Sequence, residues 1–177
     1  DGETHQGMFD VSMLSAVPNV TVFSPANYAE LELALPRALY EEKGVVAVRY
    51  PRGGELFAGG TEEKLPDYRF TDNKSTTLVI TYGRISAFAE RLCGENSLNL
   101  LRLIKLSPLD DEVFRLCAEH EKIFVFEEAL KHGGVGERLC TALCGIGFKG
   151  EITVSAVDGE FVKMGTVEQQ LARYGLD

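Results

Sequence analysis

The chain has 177 residues, of which 45% are hydrophobic and 25% charged, and this composition is typical of a folded globular protein rather than a disordered one. Its formal net charge of -9 opposes binding to a polyphosphate, which argues against nucleic acid as a partner. No apolar run approaches the roughly 18 residues that cross a bilayer, and no signal-peptide pattern is present. We therefore expect no membrane partner, and we expect a cytoplasmic location because the four cysteines are interpreted below as reduced thiols.

The first part of the chain has the pattern of one parallel β-α-β unit. Residues 19–23 are β-branched and apolar, residues 28–42 repeat apolar side chains at helical spacing, and residues 45–50 form a second apolar run. Pro36 lies inside the predicted helix, where it removes one backbone hydrogen bond. We expect the helix to continue through Pro36 with a bend.

Residues 53–73 contain glycines, a proline and charged side chains without a sustained apolar period, which is typical of a linker. Beyond them, strands are predicted at 77–82, 99–105, 123–127 and 151–157, and helices at 85–92, 110–120, 135–143 and 166–174. This alternation predicts an α/β fold with an open, mainly parallel sheet and helices on both faces. The predicted domains are residues 1–58 and 74–177, joined by a linker at 59–73.

The first ten residues concentrate carboxylates, an imidazole, a hydroxyl and two glycines in the stretch Asp1-Gly-Glu-Thr-His5-Gln-Gly-Met-Phe-Asp10. Glycines let the backbone approach a ligand, and Asp1 and His5 can hold hydroxyl groups or transfer protons near neutral pH. The alternative is a polar surface loop in which Asp10 or Ser12 caps the next short helix. A site that opens at residue 1, with no initiator Met and no preceding strand, indicates a chain cut from a longer polypeptide.

Two arginines flank a proline at the carboxyl end of the second predicted strand, in Arg49-Tyr-Pro-Arg52-Gly53. Ligands of parallel sheets gather at this end of the strands, and a guanidinium group can bind phosphate through two parallel hydrogen bonds. Arg49 and Arg52 therefore predict an anion clamp. The alternative is that both are solvated or paired with acidic groups such as Asp10 or Glu55.

The glycine-rich stretch Gly133-Gly134-Val135-Gly136 lies between a predicted strand and a predicted helix, where free N–H groups could bind an anion. It lacks the spacing of a P-loop or of a dinucleotide-binding motif, so a structural turn is favoured. Glu127 and Glu128 could cap the helix or pair locally. Because neighbouring residues of a strand point to opposite faces, they do not form a catalytic dyad.

The cysteines are Cys93, Cys117, Cys140 and Cys144, and we interpret them as reduced thiols rather than as two disulfides. Cys140 and Cys144 share one face of a predicted helix and could bind a metal together with His120 or His132. Neither a C-x-x-C pair nor closely spaced histidines are present. We therefore favour buried apolar positions for both thiols and predict no metal site.

Taken together, several of these segments resemble the transketolase family of thiamine diphosphate enzymes, and within it the branch that joins pyruvate to glyceraldehyde 3-phosphate with loss of carbon dioxide. The resemblance rests on residues 1–10, Pro18-Asn19, Pro25, Val48-Arg-Tyr-Pro-Arg-Gly53 and Gly175-Leu-Asp177, with weaker landmarks at 107–110, 127–128 and 133–136. It implies that residues up to about 52 are the back end of a pyrimidine-binding domain. Residues from about 74 onward would then form a transketolase carboxyl-terminal domain.

The resemblance also implies roles for three residues. Asp1 matches the family's substrate-contacting Asp, His5 its active-site His, and Arg52 its phosphate-binding Arg. The chain departs from the family pattern elsewhere, with Met13 and Ser15 where Tyr and Arg are usual, and Met164 where His or Gln is common. These departures bear on the branch of the family more than on its chemistry.

As implied by the resemblance, the full-length enzyme would use thiamine diphosphate and magnesium, bound by motifs that lie upstream of this chain. No cofactor or metal is then expected on this fragment, which should be inactive alone. The implied substrates are pyruvate and glyceraldehyde 3-phosphate, and the product, 1-deoxy-D-xylulose 5-phosphate, feeds isoprenoid, thiamine and pyridoxal phosphate synthesis. The implied assembly is a homodimer.

Two alternatives to this interpretation remain at this stage. One is the carboxyl-terminal section of another transketolase-like enzyme, such as a subunit of a split transketolase, acting on other sugar phosphates. The other is a binding or dimerisation module with no chemistry of its own.

Overall fold

A computed structural model of the protein describes residues 2–57 and 63–177. Its strands are β1 (Val20–Phe23), β2 (Val45–Val48), β3 (Tyr68–Thr71), β4 (Thr77–Tyr82), β5 (Asn99–Leu103), β6 (Lys105–Ser107), β7 (Lys122–Leu130) and β8 (Glu151–Val157). Its helices are α1 (Asp10–Ser15), α2 (Tyr28–Pro36), α3 (Ser86–Asn96), α4 (Asp111–Ala118), α5 (Val135–Gly145) and α6 (Val167–Tyr174). Among the described residues, no helix has the length and apolar character needed to cross a membrane.

The strands form two sheets. In the smaller one, β1 pairs in parallel with β2 and antiparallel with β6. The larger sheet has the order β3-β5-β4-β7-β8, in which β5, β4, β7 and β8 are mutually parallel and β3 is an antiparallel edge strand. The predicted mainly parallel sheet is therefore confirmed.

Helices cover both faces of the larger sheet. Successive side chains of a strand point to opposite faces, and in this sheet both faces carry apolar side chains that pack against helices. On one face, Leu78 of β4 belongs to a core shared with Val113 of α4 and Leu139 of α5. On the other face, Val79 packs in a core with Ala89 of α3. This arrangement confirms the predicted α/β fold class.

A nearly continuous strand connects the two sheets. β5 lies in the larger sheet and ends at Leu103, while β6 begins at Lys105 in the smaller sheet. Between them, Ile104 is fully buried. Its N–H donates to the Asp67 carbonyl at 2.9 Å, and its own carbonyl accepts the Ser24 N–H at 2.7 Å. Both backbone polar groups of Ile104 are therefore hydrogen-bonded, as buried peptide groups generally are.

The interval predicted as a linker contains β3, which pairs with β5. Its short alternation of aromatic and polar residues suits an edge strand, but four residues are too few to give a clear periodic signal. Nearby, the Arg37 guanidinium donates to the Leu65 carbonyl at 2.9 Å and forms an ion pair with Asp67 at 2.6 Å. Residues 59–62 of the predicted linker lie outside the described residues.

Helix α2 differs in detail from the prediction. Immediately after Pro36 it passes into a π-helical turn, Arg37–Glu41. The apolar repeat that predicts the helix also faces outward in part, since Leu35 is 46% and Leu39 is 71% exposed. The buried positions of α2 are instead Glu30 and Ala34.

Glu30 forms a buried ion-pair cluster that fastens α2 to the larger sheet. Its carboxylate accepts two hydrogen bonds from Arg102 of β5, at 2.7 and 2.9 Å, and one from Arg69 of β3 at 2.9 Å. The Ala26 N–H supplies a further bond at 3.0 Å. Burial opposes ionisation of Glu30, but these donors and the charge of Arg102 outweigh it and lower the pKa of the carboxyl group.

We expect Glu30→Ala to lower the free energy of unfolding by about 3 kcal/mol, because it leaves the Arg102 guanidinium buried without its carboxylate. Urea denaturation followed by circular dichroism at pH 7 would measure the change. Since the folded-state pKa of Glu30 is lowered from 4.5, its contribution is complete above that value and is lost as the pH falls through the folded pKa. The two unfolding curves should therefore approach one another as the pH falls below 4.5.

Glu112→Ala is the matched control, because Glu112 forms an exposed ion pair with Arg115 within one helix. We expect it to change stability by no more than about 0.5 kcal/mol. Equal effects of the two substitutions would contradict the anchoring role of Glu30.

Candidate active site

A cleft of about 650 Å³ opens where β2, β4 and β7 reach their carboxyl ends. Residues 49–53 follow β2, Gly83 and Arg84 follow β4, and Glu128 lies near the end of β7. The amino-terminal loop forms one side of the cleft, and residues 162–167 form another. Ligands of parallel α/β sheets bind at this edge, so the position of the cleft fits a substrate site.

The structure brings two of the predicted site residues together. His5 and Arg52 are separated by 46 residues in the chain, yet both line this cleft and both are exposed to solvent. The Nδ1 atom of His5 lies 2.9 Å from the Thr4 hydroxyl, which engages one ring nitrogen. Asp1, the third predicted residue, lies outside the described residues.

Gln6 fixes the loop that carries His5. Its side-chain amide pairs with both backbone groups of Val162, donating to the carbonyl at 2.5 Å and accepting the N–H at 3.0 Å. The same Nε2 group also donates to the Gly2 carbonyl at 2.9 Å. The rings of Phe9 and Phe161 add an aromatic contact with centroids 5.4 Å apart. These contacts join two sides of the cleft.

The alternative capping roles for Asp10 and Ser12 are not found. The residue that caps α1 is Phe9, which makes no side-chain capping bond. Ser12 instead donates to the His132 carbonyl at 2.6 Å. Burial raises the pKa of the Asp10 carboxyl group, although the charge of Arg49 opposes this shift.

The Arg49 side chain is largely buried and is held by protein groups. Its Nη2 group donates to the Glu128 carbonyl at 2.7 Å, and its Nε atom lies 3.9 Å from the Asp10 carboxylate. Its side chain is only 16% exposed. Of the two arginines in the predicted anion clamp, Arg49 therefore matches the paired alternative, while Arg52 is exposed and lines the cleft.

Arg84 and Glu128 form a pair that the sequence analysis does not single out. Two guanidinium nitrogens of Arg84 donate to the two carboxylate oxygens of Glu128, at 2.8 and 2.9 Å. A third nitrogen, Nη1, donates to the Arg52 carbonyl at 3.4 Å. The signal that could identify Arg84 is its place immediately after a parallel strand, the same signal that identifies Arg49.

Glu127 points to the opposite side of β7 and is fully buried. Its carboxylate accepts the N–H groups of Val135 and Gly136 at 2.9 and 3.0 Å, and the Tyr82 hydroxyl at 3.0 Å. Burial raises the pKa of Glu127, although these donors oppose the shift. Since Glu127 already occupies the amino end of α5, the glycine-rich stretch is a structural turn, as the sequence predicts.

The glycines of this turn allow Glu127 to approach closely. A β-carbon at Gly134 would collide with the Leu130 carbonyl and would lie 2.7 Å from the Glu127 carboxylate. One at Gly136 would lie 2.6 Å from Val154 and 3.0 Å from Glu127. All three distances are shorter than ordinary van der Waals contacts.

The cysteines are free thiols, as predicted. Burial raises the pKa of Cys93 to about 11 and that of Cys117 to about 12. Cys144 is exposed, so the predicted buried position is wrong for this residue, which lies on the outer side of α5 near its end. Within residues 2–57 and 63–177, no group of three His, Cys, Asp or Glu side chains could hold a metal ion.

Comparison with known proteins identifies the class to which this arrangement belongs. Residues 1–54 match the model of the transketolase pyrimidine-binding domain. Two solved transketolases share the fold. A split-gene transketolase, described as an inactive β4 tetramer, has a TM-score of 0.85 at 23% identity over 99% of this chain and 59% of its own. The transketolase of Campylobacter jejuni has a TM-score of 0.72 at 18% identity over 100% of this chain and 27% of its own.

The chain belongs to the transketolase family, whose enzymes depend on thiamine diphosphate. Its curated relatives are 1-deoxy-D-xylulose-5-phosphate synthases. That of Dehalococcoides mccartyi is 32% identical over 100% of this chain and 29% of the relative, and that of Thermotoga maritima 31% identical over 100% and 30%. That of Sulfurimonas denitrificans is 35% identical over 78% and 24%. This chain thus spans no more than about 30% of the length of these relatives.

We expect Gly136→Ala to lower the free energy of unfolding by about 1–3 kcal/mol, because its β-carbon must displace Val154 or Glu127. Gly145→Ala, in the last turn of the same helix, is the matched control, since a β-carbon there meets nothing within 4 Å. The control should be neutral or more stable by up to about 1 kcal/mol. Thermal and urea unfolding would measure both. If Gly136→Ala is as stable as the control, the close approach of Glu127 does not constrain this turn.

Proposed function

We propose that this cleft binds a phosphorylated aldehyde, with Arg52 holding the phosphate and His5 at the reacting end. The chain would then supply the substrate side of a 1-deoxy-D-xylulose-5-phosphate synthase, which joins pyruvate to glyceraldehyde 3-phosphate. The observation that carries the proposal is that His5 and Arg52 line one cleft at the carboxyl edge of parallel strands. The matches to synthases of this name along the whole chain support the choice of reaction.

The two side chains suit these tasks. A guanidinium fork can donate two parallel hydrogen bonds to a phosphate and so fix the orientation of the aldehyde. An imidazole with one ring nitrogen engaged by Thr4 can present the other to a carbonyl oxygen, and can donate or accept a proton there as the carbon–carbon bond forms. Asp1, adjacent in sequence to the described loop, is proposed to hold an acceptor hydroxyl.

Thiamine diphosphate supplies the carbanion chemistry of this family when it is bound. Among the described residues, no group of three His, Cys, Asp or Glu side chains is placed to hold a metal ion. In keeping with the upstream motifs that the resemblance implies, we assign cofactor binding to the part of the relatives' length that this chain does not span.

Two other functions make different predictions about substrate and partner. A transketolase-type subunit that pairs with a separately encoded chain is suggested by the split-gene structure that shares this fold. It would use sugar phosphates as both donor and acceptor, so a panel of donors separates it from a pyruvate-using synthase. A binding or dimerisation module would show no activity with any donor, even after mixing with an amino-terminal partner.

We predict that Arg52→Ala, in a protein that also carries the amino-terminal remainder, raises the KM for glyceraldehyde 3-phosphate by about 10-fold or more. The reason is the loss of a charge-assisted pair with the phosphate, worth roughly 1.5–3 kcal/mol. Steady-state kinetics with D-glyceraldehyde, which lacks the phosphate, should show little change. Arg115→Ala, which removes a charge of equal sign from an exposed ion pair, is the control variant. Unchanged kinetics with the phosphorylated aldehyde would refute the role of Arg52.

We further predict that the purified 177-residue chain forms no 1-deoxy-D-xylulose 5-phosphate from pyruvate and glyceraldehyde 3-phosphate, even with thiamine diphosphate and magnesium. The expectation follows from the proposal that the cofactor is held outside this chain. Mass spectrometry of the reaction mixture would detect the product. Its formation above the background without protein would show that these residues form a complete catalytic unit.

A further inference from the structure

We infer that Arg84, held by Glu128, is the positioning residue that fixes the Arg52 loop for binding the phosphate of the substrate. The inference rests on the proposed function and adds to it a residue from the carboxyl-terminal part of the chain. Arg84 acts through the backbone of Arg52 and does not itself contact the phosphate.

The loop that carries Arg52 needs support from outside. Regular pairing of β2 with β1 ends near Arg49, whose N–H donates to the Phe23 carbonyl at 2.8 Å. Beyond it, a β-carbon at Gly53 or Gly54 would meet no atom within 4 Å, so this part of the loop is loosely surrounded. Arg84 reaches the same loop with a hydrogen bond to the Arg52 carbonyl at 3.4 Å.

Arg84 is well suited to act as a fixed support. The chain turns sharply at Gly83, whose φ of +64 lies in the left-handed region, and a β-carbon there would lie 3.2 Å from the Ser24 hydroxyl. Glu128 then grips two nitrogens of the guanidinium group with both carboxylate oxygens. Both side chains are largely buried, at 16% and 14% exposure. A bidentate pair of this kind sets direction as well as distance.

The charges around Arg84 favour a supporting role for this residue over direct binding of the phosphate. Because Glu128 neutralises Arg84 at close range, the pair offers little net positive charge to a phosphate. The nitrogen that is left, Nη1, is directed at the Arg52 carbonyl. Arg52 itself is exposed to solvent and lines the cleft.

The test uses the 177-residue chain and glycerol 3-phosphate as the probe, with NMR titration as the measurement, so that no cofactor or turnover is needed. Glycerol and inorganic phosphate, titrated in parallel, show whether the phosphate and the carbon skeleton both contribute. We expect Arg84→Ala and Arg84→Lys each to raise the Kd for glycerol 3-phosphate at least about threefold, since a lysine keeps the charge but not the fork. Arg115→Ala should leave the Kd unchanged.

A double-substitution cycle shows whether Arg84 acts through Arg52. If it does, adding Arg84→Ala to Arg52→Ala causes no further loss of binding. If instead the Kd of the double variant rises by the product of the two single-variant factors, Arg84 contacts the ligand independently, and the inference is overturned. For Glu128→Gln, the two possible roles of Arg84 predict opposite changes in the Kd for glycerol 3-phosphate. Binding should weaken if Arg84 is a support, whereas tighter binding would mean that a released Arg84 binds the phosphate directly, and would overturn the inference.

The outcomes also distinguish this inference from the proposed function. If Arg52→Ala does not weaken binding of glycerol 3-phosphate, or the unchanged chain does not bind it, the proposed function fails and the inference fails with it. If Arg52→Ala weakens binding while both Arg84 variants, shown to be folded by circular dichroism, bind as the unchanged chain does, only the inference fails.

Discussion

The geometry of the molecule depends on one stretch of backbone that serves both sheets. β5 and β6 are separated by the single buried residue Ile104, which bonds to Asp67 on one side and to Ser24 on the other. Strands of the two sheets therefore cannot shift independently without breaking buried peptide hydrogen bonds. The ion-pair cluster of Glu30 with Arg102 reinforces the same junction, because it joins helix α2 to strand β5 of the larger sheet. The cleft lies across this junction, and Ser24 lines it.

The cleft combines charges that have distinct surroundings. Arg49 and Arg84 are largely buried and are held by backbone or carboxylate oxygens, while Arg52 is exposed at the rim. Glu128 contributes to both of the buried arginines, with its carbonyl to Arg49 and its carboxylate to Arg84. Arg49 and Arg84 thus shape the site, and Arg52 is the exposed arginine to which the proposed function assigns the phosphate. Because carboxylates lie beside Arg49 and Arg84, these two arginines add structure to the cleft more than net positive charge.

Sequence reasoning finds the regular elements and fails where contacts are long-range. The runs of β-branched and apolar residues predict β4 and β8 with their observed limits, because such runs leave a strong local signal. The strand β3 is missed because four residues at an edge carry too little pattern. The residues His5 and Arg52 are identified by motif, but their meeting in one cleft depends on the fold. The bonds from Gln6 to Val162, 156 residues away, and from Arg84 to Glu128 have no local signature, since ion pairs and amide contacts between distant segments follow from topology alone.

The central claim is that one cleft holds a phosphorylated aldehyde with its phosphate at Arg52 and its reacting end toward His5. A crystal structure of the chain soaked with glycerol 3-phosphate tests this claim most directly, because it shows both ends of the ligand. The account predicts phosphate oxygens about 3 Å from the Arg52 guanidinium and the carbon skeleton extending toward the His5 imidazole. A phosphate bound elsewhere in the cleft, or a ligand that lies in the opposite direction with its phosphate at His5, would contradict it.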